Sequence, residues 1–313
     1  MDKGLVLRVA QGMGKGCEID VKFYRLPEEI APYFTALSCL TVKAPQGHCI
    51  TDLAPPEWAT LRFRQSGSAV RAGFDKGSQV PVPAFTGGGP TSVALRYHMQ
   101  NLRGWGLGIQ PLGWALYSDV PAGEVADRLT DGMTQPAFRR FRELSLSIGN
   151  GSEDREELAA QIIRFLVNLR PAHTPARAQI LACHAALRDP DLGTVEALAD
   201  ATGVARRSLE RLTRRYFGFS PKLLLRRQRF LRSLAAFMLA GHRQWSEVID
   251  RHYCDQAHFV RDFHCFMGMT PSEYAEMPHP LLERVVAQRM ADQGAAPLPE
   301  TARDMTPVQL AGN

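Results

Sequence analysis

Between Arg206 and Arg215 the chain places five arginines and one glutamate: Arg206, Arg207, Glu210, Arg211, Arg214 and Arg215. On a helix of about 100° per residue, Arg206, Glu210, Arg214, Arg207 and Arg211 fall within about 140° of one another. Ala205, Leu209, Leu212 and Tyr216 fall on the opposite side. Arginine can bond guanine O6 and N7 as a pair or clamp a phosphate, and glutamate can accept from cytosine N4. A helix with an apolar back and such a front is therefore suited to a DNA groove. The plain alternative is a solvated packing helix, but solvated faces interleave acids with bases. From Ala205 to Arg232 there are ten Lys/Arg residues against Glu210 alone, an excess greater than the +5 of the whole chain. That concentration is the electrostatic footprint of a phosphate-binding surface.

The element carrying these arginines recurs. "SLERLTRRYFGFSP" (208–221) lies over "HFVRDFHCFMGMTP" (258–271) at an offset of 50 residues without a gap. Arg211 falls on Arg261, Tyr216 on Phe266, Gly218 on Gly268, Ser220 on Thr270 and Pro221 on Pro271. Upstream, Val195 matches Trp245, Leu198 matches Val248 and Asp200 matches Asp250. Each unit reads as a short helix, a tight turn and a longer second helix, a helix-turn-helix that holds its second helix ready for a major groove. In the first unit the turn is Thr202-Gly203-Val204, with glycine where a positive φ is needed. The second unit has His252-Tyr253-Cys254 in place of that turn. Its second helix buries Phe259, Phe263 and Phe266 and presents Ala257, Val260, Arg261 and His264, with Gln256 at the edge. With so little charge, this surface is expected to contribute less affinity than the first.

These residues resemble the DNA-binding domain of the AraC/XylS family of bacterial transcription regulators, in which two helix-turn-helix units are joined by a long helix. The carriers are the first unit from Val195 to Thr213, the joining "PKLLLRRQRFLRSLAAFMLA", "DQAHFVRDF" (255–263) and the closing "GMTPSEY" (268–274). Ala205 stands where the family has a serine cap, which weakens the start of that helix by about 1 kcal/mol. The N-terminal part resembles, through "PPEWATLRF" (55–63) and "WGLGIQPLGWALY" (105–117), the uncharacterised N-terminal domain of one subgroup of that family. The resemblance implies double-stranded DNA at a promoter as partner. It adds RNA polymerase, a small-molecule effector and a second copy of the chain as further candidate partners, with a cupin-like barrel as the place where an effector binds or two chains pair.

Towards the N-terminus, residues 1–148 carry many turn signals, among them "KAPQGH" and "DKGSQVPVPAFTGGGP", between short alternating segments such as "ATLRFR" and "SAVRAGF". This reads as a strand-rich domain with helices at Glu124–Leu129 and Pro136–Leu146. Residues 149–173 read as a loop and linker helix with Ser152 as cap, and a second helix starts at Thr174-Pro175 and runs to about Arg188. The expected fold is α+β. A strand-rich, cupin-like effector or dimerisation domain (1–148) precedes an all-α DNA-binding domain (174–280), and 291–313 reads as a disordered tail.

No stretch approaches the roughly 20 apolar residues of a membrane span, and "MDKGLVLRVAQGMGKG" lacks the apolar core of a secretory signal, so the expected location is the cytosol. The six cysteines are scattered without a CxxC pair and read as reduced thiols. Neither the group His252, Cys254, His258, His264 and Cys265 nor the isolated His48, Glu57 and His98 has the spacing of a metal site, so no metal and no cofactor is expected. "GMGKG" (12–16) lacks a Walker spacing, and "GWGLG" (104–108) reads as a packed strand or turn. Trp58, Trp105 and Trp114 read as core or as the lining of a pocket.

The expected DNA contacts are Arg206, Arg207, Glu210, Arg211 and Arg214 on the first reading helix. Gln256, Arg261 and His264 follow on the second, about one helical turn of DNA further along. Lys222, Arg226, Arg227 and Arg229 supply backbone contacts. No nucleophile, base or metal constellation supports an enzyme, so the chain is read as a non-enzyme. The competing readings are a catalytic N-terminal barrel with a regulatory helical C-terminus, and a nucleic-acid binder without sequence preference.

Overall fold

The computed structural model of the chain describes residues 16–74, 79–239 and 245–293. Most of the Gly12–Gly16 turn and the stretch from residue 294 onward lie outside them. The N-terminal domain is built from two antiparallel sheets. Its strands are β1 (Glu18–Tyr24), β2 (Phe34–Lys43), β3 (Ile50–Ala54), β4 (Ala59–Gly67), β5 (Arg71–Gly73), β6 (Val80–Pro81), β7 (Phe85–Gly88), β8 (Leu95–Met99), β9 (Leu102–Ile109) and β10 (Leu129–Asp131). Six strands run in the order β1-β2-β9-β4-β7-β10 and four in the order β3-β8-β5-β6.

Alternation along the central strands gives the large sheet two faces. Leu37, Cys39, Leu61, Phe63, Trp105, Leu107 and Ile109 enter a core shared with helices, whereas Ala36, Val42 and Leu102 meet Leu95, Tyr97 and Met99 of the small sheet. "GWGLG" is thus part of strand β9, and Trp58, Trp105 and Trp114 are all buried.

The helices are α1 (Pro111–Tyr117), α2 (Ala122–Val125), α3 (Arg142–Gly149), α4 (Arg155–Asn168), α5 (Arg177–Arg188), α6 (Val195–Thr202), α7 (Arg206–Tyr216), α8 (Pro221–Leu239), α9 (Gln256–Met267), α10 (Pro271–Glu276) and α11 (Pro280–Gln293). Several differ from the sequence expectation. The helix expected over Glu124–Leu129 is a single turn that ends before Asp127. Asp127 adopts a left-handed φ of 54° while its carboxylate accepts from the Ser92 amide and hydroxyl, which turns the chain into β10. The helix expected from Pro136 is a 3-10 segment, Pro136–Phe141, that continues as α3. Asp154, not Ser152, caps α4, because its carboxylate reaches the amides of Glu156 and Glu157. α5 begins two residues after Thr174-Pro175. α11 is not among the expected elements, and it takes in the first three residues of the expected tail.

The α+β expectation matches the structure: a strand-rich N-terminal part and a helical C-terminal part holding two helix-turn-helix units joined by α8. The two parts share buried side chains. One cluster runs from the large sheet through α1, α3, α4 and α5 to Leu198, Leu209, Phe217 and Leu224. A second gathers α8 and α9 with Leu53 and Ala94. Among the described residues no helix is long and apolar enough to cross a membrane.

Candidate nucleic-acid interface

The sequence repeat is also a structural one. α6, α7 and α8 start at Val195, Arg206 and Pro221, and their counterparts, a 3-10 turn (Trp245–Glu247), α9 and α10, start at Trp245, Gln256 and Pro271, each 50 residues later. Gly218 and Gly268 both take left-handed φ, 88° and 69°, just after the reading helices. Ser220 Oγ accepts from the Leu223 amide at 3.3 Å, and Thr270 Oγ1 accepts from the Glu273 amide at 3.2 Å.

The turns between the paired elements close with the same bond: Gly203 N–H to Asp200 O at 3.2 Å, Tyr253 N–H to Asp250 O at 3.0 Å. The first uses a left-handed glycine (φ 63°), the second no left-handed residue. In its place Asp250 accepts from the His252 amide and from Arg232 Nε, at 2.9 and 2.6 Å. The expected first helix of the second unit is only the short 3-10 turn among the described residues. Even so, α9 starts where the repeat requires. Asp255, absent from the first unit as a cap, accepts from the His258 amide at 2.6 Å.

On α7, Leu209 and Thr213 are fully buried and Leu212 is half-buried, while Arg206, Arg207, Arg211, Arg214 and Arg215 are exposed. Arg206 pairs with Glu196 of α6 at 3.0 Å, and Glu210 pairs with Arg214 one turn on at 2.9 Å. Surface ion pairs of this kind contribute ~0–1 kcal/mol, so they pre-arrange the side chains at little cost to a better anionic partner. As expected, α7 lacks a side-chain cap at Ala205. On α9, Gln256, Ala257, Arg261 and His264 are exposed, with Cys265 beside them, and Phe259, Phe263 and Phe266 are buried.

The cations of α8 depart from the expectation of backbone contacts. Lys222 is exposed, but Arg226 donates to Asp262 of α9 at 2.6 Å, and Arg229 reaches Asp262 and the His252 carbonyl at 3.4 and 2.9 Å. Arg227 is fully buried: it lies 4.0 Å over the Trp58 ring and donates to the carbonyls of Thr91 and Glu57 at 3.0 and 3.3 Å. α8 is the central helix of the domain, so most of its faces are covered, and its charges hold elements together instead of meeting solvent. The hydrogen bond it donates to Asp262, set against burial, holds the Arg226 guanidinium above its ordinary pKa.

Charge counting missed these roles, although one sequence signal announced them. Asp262 interrupts an apolar helix face at the position where the repeat has Leu212. A buried carboxylate, here 2% exposed, requires cationic partners.

The helix-turn-helix domain model matches residues 198–277. No curated protein matches the chain. Among solved structures, ToxT from Vibrio cholerae aligns over 83% of this chain and 97% of its own at 11% identity, with a TM-score of 0.42. ToxT from Vibrio cholerae O395 bound to (E)-4-(8-methylnaphthalen-1-yl)but-3-enoic acid aligns over 83% and 98% at 12% identity, TM-score 0.42. The AraC-like transcriptional activator CuxR aligns over 74% and 91% at 16% identity, TM-score 0.27. Two repeated units, their exposed second helices and the match to the domain model agree: residues 198–277 form a helix-turn-helix domain.

Proposed function

We propose that the chain is a sequence-specific transcription regulator that inserts α7 and α9 into successive major-groove segments of a promoter and responds to a small molecule held by its N-terminal domain. The observation that carries the DNA reading is the exposed arginine face of α7, backed by a buried apolar face and repeated in position by α9. Arg206, Arg207, Glu210, Arg211 and Arg214 meet base edges or phosphates in one segment, and Gln256, Arg261 and His264 do so in the next. Lys222, at the exposed start of α8, adds a phosphate contact. Binding falls steeply with salt, because each neutralised phosphate releases condensed counterions.

The test is selection of bound sequences from a random DNA library at moderate salt, with wild type and with Arg207→Ala/Arg211→Ala. The wild type recovers a motif, and the double variant loses or relaxes half of it. Enrichment of no motif by a folded wild type would discard the sequence-specific reading in favour of a binder without sequence preference.

A further inference from the structure

The N-terminal domain encloses a cavity of about 280 Å³ between its two sheets. The sequence of β9 makes room for it. Trp105, Leu107 and Ile109 enter the core on the helical side, so the alternate residues Gly104, Gly106 and Gly108 fall on the cavity side and line it. These three alternate positions carry no side chain; Thr35 and Ser38 of β2 stand over Gly108 and Gly106, and Tyr97 and Met99 of the opposite sheet line the space beyond. At the middle position a Cβ would already stand 3.0 Å from Ser38 Oγ.

One wall comes from the other end of the chain. α11, which follows the last helix of the DNA-binding domain after three residues, contributes Leu281, Leu282, Val285 and Arg289. Asp52 of β3, only 1% exposed, accepts from the Leu281 and Leu282 amides at 2.8 Å each and pairs with His279 at 3.2 Å. At the far end of α11, Asp292 accepts from the Phe23 amide at 2.9 Å, and the Arg289 guanidinium lies 4.9 Å over the Phe23 ring. Inside, the Tyr97 hydroxyl belongs to a residue 7% exposed and has no hydrogen-bond partner among the described residues. A buried hydroxyl left unpaired is destabilising, and a ligand offering an acceptor would pair it.

We propose that α11 is the movable wall of a site for a small, largely apolar molecule with one hydrogen-bond acceptor. The helix closes over that molecule and so ties occupancy of the N-terminal domain to the second reading unit. This deepens the effector part of the proposed function, and its test uses no DNA, so its failure is separable from failure to select an operator.

Butyrophenone and butylbenzene, which differ by one carbonyl oxygen on the same skeleton, are the probes. Calorimetry reads their binding to the full chain, and hydrogen exchange reads the amides of 280–293. Butyrophenone binds about fivefold or more tighter than butylbenzene and slows exchange in α11 about tenfold, whereas Tyr97→Phe narrows the ketone's advantage to about twofold. Gly106→Val, which fills the space, abolishes binding of both. Asp52→Asn, which weakens the hold on α11, reduces the affinity for both probes about fivefold. Should that variant unfold, Leu281→Ala, a half-buried wall residue, carries the same expectation. Binding without slower exchange in α11, or unchanged affinity in a folded wall variant, would overturn the movable wall. No binding of either probe to the wild type would overturn the site.

Discussion

The two helix-turn-helix units start their elements at the same stations, yet different forces hold their reading helices. α7 is held by apolar contact with the rest of the protein. Leu209 and Phe217 join the core of the large sheet, Phe217 meets the edge of Trp58 at 5.9 Å, and α1 and α2 pack on it directly. α9 is held by an aromatic cluster of Phe230, Trp245, Phe259, Phe263, Phe266 and Tyr274, and by two buried carboxylates, Asp250 and Asp262, that draw in Arg232, Arg226 and Arg229. The unit with the charged surface has an apolar back, and the unit with the plainer surface has its charges inside. A count of basic residues along a segment therefore measures two things at once: the field offered to a polyanion and the internal ties of a central helix.

The largest effect expected from this contrast is on stability. Asp262→Ala leaves Arg226 and Arg229 without their buried partner and costs about 3–5 kcal/mol. Leu212→Ala, the same station in the first unit, costs about 1–2 kcal/mol of lost burial. Chemical denaturation of both variants compares them, and equal costs would erase the distinction. On DNA the order reverses. Arg211→Ala loses about 1–3 kcal/mol of affinity for the selected site, and Arg261→Ala at the equivalent station of α9 loses less, as a binding titration at fixed salt measures.

Capping sharpens the comparison further. Thr270 and Glu273 form a reciprocal cap at α10, so Thr270→Ala destabilises by about 1 kcal/mol. Ala205→Ser supplies the missing cap of α7 and stabilises by about 0.5–1 kcal/mol, read as a rise in the denaturation midpoint. The smallest effect is confined to acid. Burial disfavours charge on Asp250, but the bonds from Arg232 and the His252 amide prevail and hold its pKa below the usual value. Its contribution is complete above its unfolded pKa and is lost as pH falls through the lower folded one. Asp250→Asn therefore flattens the stability profile below about pH 4, as denaturation across that range measures.

Much of the second half is legible in the amino-acid sequence alone. The 50-residue repeat with Gly218 and Gly268 in register, the left-handed turn glycine Gly203 and the outward arginines of α7 are local properties, set by residue type and the helical period. The N-terminal half is legible only as strand-rich, because sheet partners are distant in sequence: Cys39 pairs with Trp105, and Phe63 with the same residue from the other side. The end of α2 depends on Asp127 finding Ser92, a contact no short window contains.

By itself, then, the sequence determined which helix faces turn outward at α7 and α9 and where both units begin, because amphipathic periodicity and turn chemistry act over a few residues. Only the tertiary structure decided what the cations of α8 do, where α11 goes and that an open space lies under it. Each of those depends on desolvation by groups far away in the chain. A guanidinium reads the same in sequence whether solvent or Asp262 surrounds it, and a glycine stripe becomes a cavity only when a second sheet and a returning helix enclose it.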